Sequence, residues 1–107
     1  MGHAKTMSPT GQIIENVLEH ITVNSWLHVI NWENWVFGLA DDENHAKEWH
    51  KNNSRPAPRY WASFDCGDAG IAQSVLKHFR LLGVPEGEKN PENSGNGRIL
   101  YAYKTSL

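Results

Sequence analysis

A chain of 107 residues fits one domain of the common size, and a second is not expected. Its formal net charge of −2, with 10 Lys and Arg against 12 Asp and Glu, lacks the basic excess that drives non-specific phosphate binding. One cysteine, Cys66, excludes an internal disulfide, and no apolar run is long enough to span a bilayer or form the core of a leader, so the expected setting is a reducing cytoplasm with no membrane partner.

Met1 to Met7 carries no periodic pattern and is expected to be a flexible end, with a single domain over 8–107. In SPTGQIIENVLEHI, Ser8 is placed to cap a helix and Pro9 to open it. Ile13, Ile14, Val17, Leu18 and Ile21 then fall on one face. Two apolar runs follow, Trp26 to Ile30 and Trp35 to Ala40, around the polar link Asn31 to Asn34. They read as a hairpin, or as one strand preceded by an irregular connection. Asp41 and Asp42 offer a cap and favourable charge to a weakly amphipathic helix from about Glu43 to Lys51, with Ala46 and Trp49 to bury.

Pro56 and Pro58 make Asn52 to Pro58 a loop. Tyr60 to Asp65 alternates as a strand does. Cys66-Gly67-Asp68 turns into a second strongly amphipathic helix, Ala69 to Leu82, carrying Ile71, Ala72, Val75, Phe79 and Leu82 on one stripe and stopped by Gly83. Val84 to Gly97 is rich in turn formers, so Pro85 to Gly97 is expected to be mobile and the first site of proteolytic nicking. RILYAYKTS closes the chain as an alternating strand. Strands that helical crossovers cannot all link in parallel predict an α+β fold: a small, mostly antiparallel sheet of three or four strands packed with helices.

From Asn24 onward this order resembles the GIY-YIG nuclease superfamily. Trp35-Val36-Phe37-Gly38 stands in place of the YIG strand, followed by Asp41-Asp42, a helix reaching His50, Tyr60-Trp61, the helix IAQSVLKHFRLLGV, the glycine-rich loop and ILYAYK. The resemblance implies one-metal phosphodiester hydrolysis, with a tyrosine helping to activate water, an arginine on the phosphate and a glutamate holding a divalent ion. In this chain the arginine position falls on Ala46, with His45 and Lys47 beside it. The glutamate position falls on Leu76. The tyrosine position falls near Leu27, with His28 beside it. Without guanidinium and carboxylate the scaffold is expected to lack the chemistry, with no catalytic residues, metal or cofactor. Leu76 is then expected to be a core residue whose truncation costs about 2 to 4 kcal/mol.

Other constellations read more simply. His45 and His50 lie five apart, out of step for two ligands on one helical face. Cys66 before a helix is either a favoured thiolate or part of a turn capped by Asp68. The loop with Gly87, Gly95 and Gly97 leads into a strand, whereas a phosphate cradle opens a helix, and Glu86, Glu88 and Glu92 oppose an anion.

His50, Lys51, Arg55 and Arg59 interleave with Trp49, Tyr60 and Trp61, as basic and aromatic residues do in single-strand binding. The five tryptophans read first as core and second as contact residues. The candidate binding surface is therefore Trp32, Trp35, His50, Lys51, Arg55, Arg59 and Trp61. The expected function is a non-catalytic, nuclease-like binding domain, in the manner of a small regulator or inhibitor from a mobile element, with a protein as partner and only weak affinity for nucleic acid. The alternatives are an active divalent-metal-dependent nuclease and an interaction module of unrelated α+β fold.

Overall fold

A computed structural model describes residues 8–53, 58–85 and 97–105. Helix α1, Pro9–Val23, starts where the cap residue predicts: the Ser8 hydroxyl accepts a hydrogen bond from the Gly11 amide at 3.1 Å, with proline at the first turn. Val17 and Ile21 are buried, and Ile13, Ile14 and Leu18 pack against the same core.

The next segment corrects the hairpin. Trp26–His28 is a 3₁₀ turn with Leu27 at φ 53° and His28 at φ 58°, left-handed backbone that cannot join an extended ladder. The link to the strand is a second 3₁₀ turn, Trp32–Asn34, in which the Asn31 side chain accepts from the Glu33 amide. An apolar run without alternation is equally compatible with a strand and with an exposed irregular segment. Here the turn closes through backbone bonds from the His28 amide to the Ser25 carbonyl and from the Val29 amide to the Trp26 carbonyl, and the irregular segment forms.

Three strands follow: β1, Trp35–Ala40; β2, Arg59–Asp65; and β3, Ile99–Lys104. Their order is β1-β3-β2 with β3 antiparallel to both neighbours. Between β1 and β2 lies helix α2, Glu43–Asn53, whose first turn is capped by Asp42 through the amides of Asn44 and His45. Between β2 and β3 lies helix α3, Ala69–Leu82. Asp68 caps it through the Ile71 amide at 2.8 Å, and Gly83 ends it in the left-handed conformation. The fold is thus α+β, with three α-helices and a three-stranded antiparallel sheet among the described residues.

Strand pairing sorts the side chains by face. Trp35, Phe37, Leu39, Leu100 and Ala102 join α1 and α3 in the main core, while Val36, Ala40, Tyr101 and Tyr103 meet Ala46 of α2 on the other side. Covering on both faces explains why β1 is apolar throughout and buried at every position. β2 is an edge strand with an irregularity between Arg59 and Ala62, where Tyr60 has φ 54°. The expected loop over Pro85 to Gly97 falls mostly on residues 86–96, outside the described residues, as do 1–7. Among the described residues no helix is long and apolar enough to cross a membrane.

Leu76 lies in the main core at 8% exposure, beside an open hollow shared with Leu39, Gln73 and Arg80. A partly open site collapses more easily than a sealed one. Leu76→Ala should therefore cost about 2 kcal/mol, the low end for such truncations, measured as a shift in the urea unfolding midpoint. An unchanged midpoint would place Leu76 on the surface instead.

Candidate functional site

The arginine and glutamate positions that the nuclease resemblance singles out are occupied by packing residues. Ala46 is fully buried under α2. Leu76 is buried under α3, on the opposite face of the sheet, so these two positions do not converge on one site. His45 and Lys47, which flank Ala46, are exposed. Leu27 is 75% exposed in the left-handed turn, not on a strand. Among the described residues no three His, Cys, Asp or Glu side chains gather as metal ligands would. Cys66 is buried, and burial pushes its thiol above the ordinary range, which disfavours the nucleophilic thiolate.

Beneath α2 lies the principal polar feature of the interior. His50 is completely buried, with Nε2 2.8 Å from the Tyr101 hydroxyl and Nδ1 3.1 Å from the Tyr103 hydroxyl. Burial lowers the imidazole to about 4, so near neutral pH it is uncharged and carries one N–H and one lone pair. One tyrosine therefore donates to the ring and the other accepts from it. Burial, then the neighbouring Tyr103, pushes the Tyr101 hydroxyl up, so it stays protonated near neutral pH. The Trp61 ring stacks on both tyrosines, at 4.9 and 5.5 Å and 8° to each plane. Helix α2 supplies the histidine one turn after Ala46, which packs with Val36, Ala40, Tyr101 and Tyr103 on the same face of the sheet. The cluster is a closed hydrogen-bonded layer joining α2 to the sheet.

This placement corrects part of the expected binding surface. Trp35 and His50 are interior residues, fully buried. Trp61 is half-buried in the aromatic stack, and Trp32 is half-buried against Phe79, at 5.6 Å, on the second 3₁₀ turn and not at a hairpin tip. Lys51 and Arg59 are exposed, one at the end of α2 and one at the start of β2. Arg55 lies outside the described residues. Aromatic residues in a short chain carry no mark that separates a wall of the core from a contact surface, and only the register does so.

The exposed apolar groups gather elsewhere. Trp26, Leu27 and Val29 are 80%, 75% and 71% exposed, on the segment between α1 and the second 3₁₀ turn. Two hollows adjoin here. The smaller, about 230 Å³, has Trp26, Val29, Trp35 and Lys104 among its walls. The larger, about 520 Å³, has Ile30, Trp32, Glu33 and Leu82, and Val29 and Asn31 line both. Lys104, at the end of the central strand, is buried beneath the C-terminal end of α1, and its ammonium donates to the Asn24 carbonyl at 3.0 Å. The sequence signal for this surface was the apolar run Trp26 to Ile30, which the hairpin reading assigned to the sheet and the alternative reading to an irregular connection. No protein-family model, curated protein or solved structure matches this chain.

Proposed function

We propose that the chain is a non-catalytic, nuclease-like binding domain that engages a protein in a reducing cytoplasm, in the manner of the small regulators and inhibitors that mobile elements encode. The observation that carries this reading is the exposed surface of Trp26, Leu27 and Val29. It is held on two consecutive left-handed residues whose backbone costs on the order of 1 kcal/mol each. A segment that exposes large apolar side chains on strained backbone gives up stability twice, and a desolvated contact with a protein recovers it. The apolar residues at Ala46 and Leu76 supply neither guanidinium nor carboxylate, and the overall charge gives nucleic acid no favourable field.

The test is incubation of the purified protein with duplex and single-stranded DNA and RNA in magnesium or manganese, for which no cleavage is expected. Metal-dependent cleavage that survives repurification and disappears on a point change in this chain would overturn the reading. A titration with the same nucleic acids at about 150 mM salt completes it. Micromolar binding that collapses in the Arg55→Ala, Arg59→Ala double variant would replace the protein partner with a nucleic acid.

A further inference from the structure

The smaller hollow beside Trp26 has Lys104 and Trp35 among its walls, and the Lys104 ammonium uses only part of its hydrogen-bonding capacity. Lys104 is 6% exposed, and its ammonium has three N–H groups. One goes to the Asn24 carbonyl, and the Tyr60 ring lies 5.9 Å away. Among the described residues no carboxylate lies within ion-pair distance of it. Trp35, its direct partner across the β1–β3 ladder, is fully buried, and its indole N–H has no acceptor among the described residues. A nearly enclosed cation without an anion and an indole without an acceptor are each unfavourable alone. An anionic acceptor in the hollow that both residues line pairs the Lys104 ammonium.

Size and surroundings narrow the occupant. At about 230 Å³ the hollow is smaller than the roughly 300 to 1,000 Å³ that small-molecule sites occupy, and it suits a single side chain or chain end. Across Val29 the larger hollow is walled by Ile30, Trp32 and Leu82, which suit an apolar side chain, while Glu33 there repels a second anion. A nucleic acid would bring a phosphate at every nucleotide to a surface offering one buried cation and this carboxylate.

We propose that this paired hollow binds a peptide segment of a partner protein, with a carboxylate seated against Lys104 and Trp35 and an adjacent large apolar side chain seated beyond Val29. The inference rests on the protein-partner reading above. The carboxylate is either a Glu or Asp side chain or a chain terminus, and the register of the two compartments makes the segment directional. Trp26, four-fifths exposed at the rim, closes over the carboxylate and removes it from water.

The experiment follows the indole N–H signals of Trp26 and Trp35 by NMR in the full chain. The probes are three short acetylated peptides: one with a leucine-glutamate pair and an amidated end, one with glutamine in place of that glutamate, and one ending in leucine with a free carboxylate. At least one carboxylate peptide should shift both signals saturably, while the glutamine peptide does not, and the better of the two identifies the source of the anion. Lys104→Met should weaken that binding by at least about tenfold, the usual scale for losing a charged hydrogen bond. Trp26→Ala, which alters an exposed residue and leaves the core intact, should weaken it as well and decides the matter if Lys104→Met does not fold. Silence of both signals towards both carboxylate peptides, equal binding of the glutamine peptide, or tighter saturation by a single-stranded oligonucleotide would overturn the inference. Nucleic-acid cleavage would remove the protein-partner reading whichever peptide binds, whereas silent indoles in a protein that does not cleave remove this site alone.

Discussion

Gly38→Ala is expected to lower the unfolding free energy by about 3 kcal/mol, at the upper end of what overpacking costs. On backbone grounds alone the sign should be opposite, because alanine in a strand interior is favoured over glycine by roughly 0.5 to 1 kcal/mol. The reversal comes from Tyr101, which faces Gly38 across the ladder: a Cβ on Gly38 would overlap its hydroxyl oxygen and the adjoining ring carbons. An exposed ring would swing away. This one is hydrogen-bonded to His50 and stacked on Trp61, so moving it breaks both contacts. Urea unfolding of Gly38→Ala in the wild-type background and beside Tyr101→Leu checks the cause. In the second background the methyl has space, and its cost should nearly vanish, a coupling that a double-mutant cycle reads directly. A Gly38→Ala protein as stable as wild type would mean that the aromatic layer yields easily.

The same glycine marks how far the sequence could be read. Local signals placed α1, α3 and β1 well: Ser8, Asp68 and Gly83 each act within a few residues of their own position, and the caps form as their spacing predicts. Antiparallel pairing and the α+β class also followed, since short strands separated by helices leave few arrangements. The segment from Trp26 to Ile30 was misread as strand in the hairpin reading because hydrophobicity at Trp26, Leu27 and Val29 serves exposure and not burial. No local rule distinguishes the two when alternation is missing.

The site was less legible because its determinants are non-local. His50 stands 51 residues before Tyr101, and nothing in the helix that carries it reveals that both ring nitrogens find tyrosine hydroxyls. Its position near Lys51 and the proline loop made it look like part of a basic surface. Lys104 is the converse case: an alternating strand ending in lysine reads as a solvated terminus, yet the register sets that lysine beside Trp35 and under the end of α1. Both side chains acquire their surroundings only when β3 is inserted between β1 and β2.

The buried histidine makes stability depend on pH in a stated direction. The folded protein holds the imidazole at about 4, against an ordinary 6.5 in an unfolded chain, because burial disfavours the charged form. Between those values the unfolded chain binds the extra proton, so the contribution is complete above about 6.5 and is lost as pH falls towards about 4, amounting to about 3 kcal/mol over the window. Carboxylates titrate at the lower edge of that range, so the wild-type curve alone cannot assign the loss. His50→Gln can, since its amide both donates and accepts without titrating, and it can keep a bond to at least one of the tyrosines. Urea midpoints from neutral pH to about pH 4.5 should fall more steeply for wild type than for His50→Gln. Near neutral pH His50→Leu should be the less stable of the two substitutions, because it deprives both tyrosine hydroxyls of that partner within the interior. Parallel curves for wild type and His50→Gln, or a His50 ring signal that titrates near 6.5, would show that water reaches the imidazole and that the layer beneath α2 opens in solution.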